Sequence, residues 1–349
     1  MNEKNILPKI KVDKENEIRI YNHLCFIGRG NILKLPHMIV LILIGLLSGL
    51  FFSSTFILNR VMSLEGGHWV WSACLRYAYM ILFLIVLLSL FQGIKAPWHV
   101  FRLFLKHWKF WIITGSIGFG GFYSLLCFSA DHAPGWVIAT TWQLTIIATL
   151  VVLICFGRSF PKKIWFFSFI VLSGVLMVNL SHVEMSTVKE LLMGGFPVLI
   201  AAFCYPIGNQ LVWEAKNGNK YLPNIENPLL ENPFNKVLLL SLGSVPFWLI
   251  LVAIKTPPLP SKGQLINTAL VALFSGIFAT SLFLFARNKS KRASELAAVD
   301  ATQSSEVIFA MIGEILILNS SLPNSIALAG IFLVFTGLAL FISFQEVVN

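Results

Sequence analysis

Four carboxyl side chains stand in one helix-forming, largely apolar stretch near the C-terminal end of the chain: Glu295, Asp300, Glu306 and Glu314. Carboxylates inside a bilayer-length segment are energetically costly, and they normally face a partner or a water-filled cavity. Plotted at about 100° per residue, all four fall on rather less than half of the helix circumference, with Gln303 among them. The pattern predicts an amphipathic membrane helix with an inward-facing acidic stripe.

A buried acid of this kind can do proton chemistry. A carboxyl group in a low-dielectric cavity can hold a proton near neutral pH and exchange it for a cationic compound. Asp300 and Glu306 are expected to be the deeper pair and the proton-coupling groups, whereas Glu295 and Glu314 lie nearer the ends and could reach water. The alternative is that these acids pair with Arg76 or with donors on neighbouring helices.

Other polar and aromatic side chains are also predicted inside apolar segments. A buried glutamine and an indole N–H both need hydrogen-bond partners. Arg76 lies about two turns from a segment end, so it is either a cavity charge or a side chain that snorkels to the interface. The predicted substrate-binding residues are Asn59, Arg76, Trp142, Gln143, Asn209 and Gln303.

The elements that must position these residues are membrane helices. The chain of 349 residues is 56% hydrophobic and only 12% charged, with a mean hydropathy of +0.78. A soluble domain contains about a quarter charged residues, and a spanning helix needs about 20 apolar residues. The apolar runs predict ten spans at about 38–58, 70–91, 110–130, 135–156, 164–181, 191–213, 237–254, 264–286, 295–318 and 325–345.

The distribution of basic residues predicts the orientation of these spans. Lys and Arg concentrate in the N-terminal tail and in every second loop, whereas the alternate loops contain only Arg60, Lys189, Lys255 and Lys262. This positive-inside pattern predicts that both termini lie in the cytoplasm. We expect the protein to lie in the cytoplasmic membrane. The formal net charge of +10 is therefore attributed to topology rather than to nucleic-acid binding.

The spans divide into two halves. We expect a cytoplasmic tail at 1–37, a first five-helix repeat at 38–181 and a second at 191–345, which includes a cytoplasmic loop at 214–235 without fixed structure. Because each half has an odd number of spans, the second must be inverted relative to the first. Weak internal matches support the division: Gly45 and Asn59 with Gly195 and Asn209, residues 139–143 with 301–305, and Pro161 with Pro323.

Catalytic and metal-binding alternatives are less well supported. The predicted outer loops carry Glu65, His68, Asp131, His132, His182 and Glu184, which could converge on a metal or form the centre of a membrane-embedded enzyme. Their spacing matches no established ligand motif. There is no phosphate-binding P-loop for an ATP-driven pump and no C-x-x-C pair, so neither a metal nor a cofactor is predicted.

Several stretches resemble the drug/metabolite transporter superfamily, and most closely its branch of multidrug resistance efflux transporters, which are EamA-like ten-helix proteins. They are FILNR at 56–60, WVWSACLRY at 69–77, PGW at 134–136, TWQLT at 141–145, PVLIAAFCYPIGN at 197–209 and LAAVDATQSSEV at 296–307. The resemblance implies two inverted five-span repeats around a cavity lined by spans one, four, six and nine. It also implies a transporter of drugs, amino acids or other metabolites rather than an enzyme.

Two departures from the superfamily pattern bear on the mechanism. Four-span relatives use a glutamate in their first helix, where this chain has Ser53 and Ser54, and the Gly-Glu that commonly ends spans four and nine is replaced by Gly157–Arg158 and Asn319–Ser320. We therefore expect an exporter that works by alternating access, with the bilayer and a small molecule as partners and proton antiport as the energy source. The alternative within transport is a facilitator for one metabolite, such as an amino acid or a phosphorylated sugar, for which Arg76 would matter more than the acids.

Overall fold

A computed structural model describes residues 37–183, 188–291 and 293–344, and within these ranges every regular element is a helix. Ten of the helices are long and apolar enough to cross a membrane, so the predicted ten spans of a multi-pass membrane protein are confirmed. The described residues from Leu41 onward form one compact unit, and only His37–Val40 are described before it. Of the predicted tail at 1–37, all but His37 lies outside the described residues.

We number the helices in chain order, each with its bounds. The ten spanning helices are α1 His37–Leu64, α2 Trp69–Gln92, α4 Trp108–Ser129, α5 Gly135–Cys155, α6 Lys162–Val183, α7 Val188–Lys216, α8 Pro233–Lys255, α9 Lys262–Lys289, α10 (Ala293–Thr302 and Ser305–Leu318) and α11 Ser325–Ser343. The short helix α3, Ala96–Lys106, joins α2 to α4.

Helix α3 was not predicted, because its 11 residues are too few to span a bilayer. Val100 and Leu103 are buried against the bundle, while Trp98 and Leu105 are exposed. Its remaining face carries the basic residues Lys95, Arg102 and Lys106. Apolar and basic strips side by side on a short helix are typical of a helix that lies in the membrane interface.

Glycines allow several helices to approach closely. A Cβ on Gly118 of α4 would lie 2.9 Å from the Cα of Gly208 on α7, so only glycine fits at this crossing. Gly174 of α6 and Gly330 of α11 meet in the same way, and a Cβ on Gly45 of α1 would overlap Thr302 of α10. The small residues of the first and third spans therefore pack closely against neighbouring helices.

Four helices depart from regular α-helical geometry at matching places. Helices α4 and α9 contain π-helical segments at Ser116–Gly121 and Ala272–Ala279. Helices α5 and α10 break after Trp142 and Thr302, so that Gln143 and Gln303 lie in turns. The acidic stripe was plotted on an uninterrupted helix, and that prediction is wrong at this break.

At both breaks, side-chain hydroxyls compete with backbone N–H groups for the carbonyl oxygens of the helix. In α5 the hydroxyls of Thr140 and Thr141 donate to the carbonyls of Trp136 and Val137 at 2.7 and 2.8 Å. In α10 the hydroxyls of Thr302, Ser304 and Ser305 donate to the carbonyls three residues earlier, at 2.6 to 2.7 Å. Such local bonds weaken the i to i−4 ladder and favour bends.

The connection at 214–235 is ordered, so the expectation of no fixed structure is wrong. Leu230 is fully buried, and the Asn235 amide donates to the Leu229 carbonyl at 2.9 Å. Lys216 and Glu231 form an ion pair at 2.7 Å. Asn227 and Asn232 accept backbone N–H bonds where the turn Pro228–Glu231 and helix α8 begin, which the asparagine-rich composition could have indicated.

Candidate functional site

The two broken helices meet through Gln143 and Glu306. The Gln143 amide nitrogen donates to a Glu306 carboxyl oxygen at 2.7 Å, and both side chains are buried. Each lies eight residues into its 21-residue span, Gly135–Cys155 or Ala298–Leu318, which is roughly 12 Å along the helix. This polar contact therefore lies well inside the apolar part of the protein. Pairing of an acid with a donor on a neighbouring helix is confirmed for Glu306.

Glu314 does not reach water, contrary to expectation, and is only 1% exposed. Its carboxylate accepts from the backbone N–H of Gly135 at 2.6 Å and of Trp136 at 3.5 Å. Glu314 thus stabilises the N-terminus of α5, where a helix favours negative charge. Glu295 is also buried and accepts from the Lys291 N–H at 2.8 Å.

Asp300 is not part of a deep pair with Glu306, so that expectation is wrong. Its side chain is 31% exposed and forms an ion pair with the Arg287 guanidinium at 3.4 Å. Asp300 comes only two residues after the start of its span, near the basic end of α9. The helix break separates it from Glu306, which is the enclosed carboxyl group of the two.

Arg76 points into the bundle and does not snorkel. Its Nη2 donates to the Ser275 hydroxyl at 3.1 Å, midway along α9, and its guanidinium carbon lies 4.0 Å from the centre of the Tyr123 ring. The Nε and Nη1 atoms are buried and have no acceptor within the described ranges. Among these residues Arg76 forms no ion pair, so the predicted alternative of acids paired with Arg76 is wrong for the described part of the chain.

Tyr123 connects Arg76 to Asn59. The Asn59 amide donates to the Tyr123 hydroxyl at 3.0 Å, and both residues are buried. The Tyr77 ring meets Tyr123 edge-on at 5.8 Å and stacks on Trp248 at 5.3 Å. The predicted residues Asn59 and Arg76 thus share an aromatic wall from α2, α4 and α8.

A second group of rings reaches the predicted residues Trp142 and Asn209. Phe122 contacts Trp142 at 4.8 Å and Tyr205 at 5.2 Å, and it also touches Tyr123 at 5.8 Å. Asn209 is exposed, and its amide donates to the Tyr205 carbonyl at 3.1 Å. Gln143 follows Trp142 in the chain and donates to Glu306. These contacts therefore link six predicted residues: Asn59, Arg76, Trp142, Gln143, Asn209 and Glu306. Gln303 and Asp300 lie outside this set.

Sequence reasoning missed Tyr77, Tyr123, Tyr205, Trp248 and Ser275. A tyrosine hydroxyl buried in an apolar segment needs a partner, and this was a signal for Tyr77 and Tyr123. Tyr123 also lies two residues after the Gly120–Gly121 pair of α4. Ser275 offered no comparable signal, because its role depends on the π-helical geometry of α9.

The outer-loop set does not form a metal centre in the part of the chain that the structure describes. No group of three or more His, Cys, Asp or Glu side chains there could hold a metal ion. His68 instead caps α2, where its Nδ1 accepts from the Val70 N–H at 3.2 Å. Glu184 and the side chain of His182 lie outside the described residues.

Comparison with known proteins gives relatives that cover most of the chain. It is 38% identical over 318 residues to the uncharacterized protein YjlA of Bacillus subtilis, covering 86% of this chain and 93% of that protein. It is 35% identical over 277 residues to an uncharacterized 42.1 kDa protein of Shouchella clausii, covering 76% and 69%. One solved crystal structure, 12% identical, has a TM-score of 0.55 over 86% of this chain and 96% of that one, which indicates a shared fold.

A family model described as "EmrE: Putative multidrug resistance efflux transporter" matches residues 39–347. The match covers all ten apolar helices and both broken ones, including the contact between Gln143 and Glu306. Members of a transporter family move compounds rather than convert them, which argues against an enzyme. The chain belongs to the multidrug resistance efflux transporter family of the drug/metabolite transporter superfamily, whose members are membrane proteins that transport small compounds.

Proposed function

We propose that this protein exports small organic compounds across the cytoplasmic membrane by alternating access and exchanges them for protons. Both termini lie in the cytoplasm in this proposal, in agreement with the positive-inside pattern. The observation that carries it is the buried hydrogen bond between Gln143 and Glu306 at the two helix breaks. In transporters with inverted repeats, the substrate site lies near the bilayer midplane where discontinuous helices meet.

Two inverted repeats, 38–181 and 191–345, are part of the proposal, and paired irregularities support them. The third span of each half has a π-helical segment, and the fourth span of each half breaks at a glutamine. Helices α5 and α10, the fourth spans, contact each other, as do α6 and α11, the fifth spans. Contact between equivalent elements is expected around a two-fold pseudo-symmetry axis.

Glu306 is the proposed coupling acid. The Gln143 side chain has both an N–H donor and a carbonyl acceptor, so by rotating its amide it can serve Glu306 as a carboxylate or as a carboxylic acid. The neighbouring acids already have partners. Asp300 forms an ion pair with Arg287, and Glu314 accepts a hydrogen bond from the N-terminus of α5. A cationic group that binds the Glu306 carboxylate would displace its proton, and return of a proton from outside would release the cation.

The aromatic wall would hold the body of the substrate. Tyr205 is 37% exposed even though its ring contacts both Phe122 and Trp142. Rings that are accessible on one face and packed on the other can stack on an organic compound or attract a cationic group. In this proposal Asn59, Trp142, Gln143, Asn209 and Gln303 contribute hydrogen bonds and stacking surface.

Proteoliposomes with an acidic interior test the proposal. A panel of permanently charged aromatic cations and zwitterions, beginning with phenyltrimethylammonium and phenylalanine, avoids passive leakage of neutral bases. We expect the wild-type protein to accumulate at least one of them as protons leave, and Glu306→Gln to fall to the level of protein-free liposomes. Glu314→Gln is the matched control, since its amide oxygen can still accept the Gly135 N–H.

The outcome for Glu306→Gln decides whether this acid couples transport to protons. Accumulation at the wild-type rate by this variant would show that it does not, whereas equilibration without accumulation by the wild-type protein would favour a facilitator for one metabolite. Failure of every compound in the panel with the wild-type protein would refute proton-driven export of aromatic cations and zwitterions.

A further inference from the structure

The Arg76 guanidinium is a positive charge inside the bundle that pairs with no carboxylate of the described residues. Its Nη2 donates to the Ser275 hydroxyl at 3.1 Å, while Nε and Nη1 are buried without an acceptor in the described residues. Neither of the two ion pairs in these residues involves Arg76. Buried N–H donors of a charged group are unfavourable without acceptors, and charged groups in membrane spans mark substrate pathways.

The surroundings of Arg76 explain how the charge is tolerated, but within the described residues they give Nε and Nη1 no acceptor. The Tyr123 ring lies 4.0 Å from the guanidinium carbon, and the Tyr77 ring lies at 5.8 Å, so both offer their electron-rich faces. Cation–π contacts stabilise the charge without accepting the N–H bonds. The site therefore combines a fixed cation, free donors and an apolar aromatic wall.

We propose that Arg76 is an oxyanion subsite, which binds the carboxylate or phosphate group of the transported compound while its apolar body packs on Tyr77, Tyr123 and Trp248. Arginine is well suited to this role, because its planar guanidinium presents several donors to an oxyanion. The two residues that contact the guanidinium lie in or near π-helical segments. Ser275 lies within the segment of α9, and Tyr123 lies two residues after the segment of α4. Such segments occur frequently at functional sites.

Combined with the proposed function, on which this step rests, the subsite narrows the substrate class. Proton exchange at Glu306 requires a cationic group, whereas Arg76 requires an anionic one. A zwitterion with an apolar body meets both requirements and leaves neither buried charge without a counterpart. The family name alone would not have led to this expectation.

Calorimetric binding to the purified full-length protein tests the subsite without any transport. The probes share a phenyl body: 3-phenylpropionate, phenyl phosphate, the cation 2-phenylethylammonium and the neutral 2-phenylethanol. We expect wild-type protein to bind at least one oxyanion, with the carboxylate and phosphate probes distinguishing the two chemistries. Arg76→Gln should weaken that binding at least about 30-fold, because it removes one partner of a buried charge pair.

Two further variants separate recognition from folding. Arg76→Lys keeps the charge and should retain a preference for the oxyanion over 2-phenylethanol, whereas Arg102→Gln, on the exposed face of α3, should bind as the wild type does. Lack of binding by both oxyanions, or equal binding by wild type and Arg76→Gln, would overturn the subsite. Arg76-dependent binding together with no proton-driven transport would instead retain the subsite and refute the proposed function.

Discussion

A single glutamine determines whether Glu306 can remain buried. The carboxyl group is enclosed at the α10 break, where it accepts a 2.7 Å hydrogen bond from the Gln143 amide. Leaving a buried acceptor without its donor costs about 1–3 kcal/mol, and more for a charged group. The contact thus links the stability of the break in α5 with the chemistry of α10.

A double-mutant cycle measures this link. We expect Gln143→Leu and Glu306→Leu to have non-additive effects on the free energy of unfolding in mixed detergent micelles, with a coupling energy of about 1–3 kcal/mol. As the control pair, Gln143→Leu and Glu314→Gln should be additive, because Glu314 bonds to Gly135 and Trp136 instead. Additivity in the Gln143–Glu306 pair would show that the hydrogen bond does not hold the site together.

At the scale of the elements, the crossing of α4 and α7 depends on two glycines. Gly118 lies in the π-helical segment of α4, and Gly208 lies on α7 next to Asn209. Their backbones touch, so the crossing brings the aromatic residues of α4 to Tyr205 of α7. Close approach of this kind replaces the hydrophobic driving force that is missing between helices in lipid.

Substitution at this crossing should lower stability. Gly208→Ala would place a methyl group on the Cα of Gly118, and overpacking of about 1–3 kcal/mol should outweigh the roughly 1 kcal/mol gain in helix propensity. Gly263→Ala in α9 is the control, because its Cβ would meet no atom closer than 3.5 Å. Thermal unfolding in detergent should show a lower midpoint for Gly208→Ala and an equal or higher one for Gly263→Ala, and the reverse order would contradict the packing described here.

The membrane-spanning helices could be predicted from the sequence much more completely than the arrangement of the site residues. Bilayer-length apolar runs indicate each span directly, since no other soluble or membrane element needs 20 such residues. The breaks at Gln143 and Gln303 could not be placed, because they depend on hydroxyl-to-carbonyl bonds that a helical plot does not include. The depths of Asp300 and Glu314 were reversed because a helical plot does not show that Arg287 and the N-terminus of α5 meet these acids, and the role of Tyr123 depends on residues of α1 and α2.

At the scale of the whole molecule, a continuous series of side-chain contacts joins the basic group of Arg76 to the acidic group of Glu306. Arg76 reaches Tyr123, the rings of Phe122 and Trp142 follow, and Gln143 leads to Glu306. These residues come from α2, α4, α5 and α10, so both halves of the chain contribute. In the proposed alternating access, a movement of one half against the other would change the exposure of this set from one side of the membrane to the other.

Proton release on ligand binding tests the central claim most directly. Purified protein in weakly buffered detergent solution is mixed with pH-matched phenylalanine or 2-phenylethylammonium, and a pH indicator records the protons released. We predict release from the wild type, from Asp300→Asn and from Glu314→Gln, and none from Glu306→Gln. Equal release from Glu306→Gln and the wild type, or none from the wild type with any ligand that binds, would contradict proton exchange at Glu306.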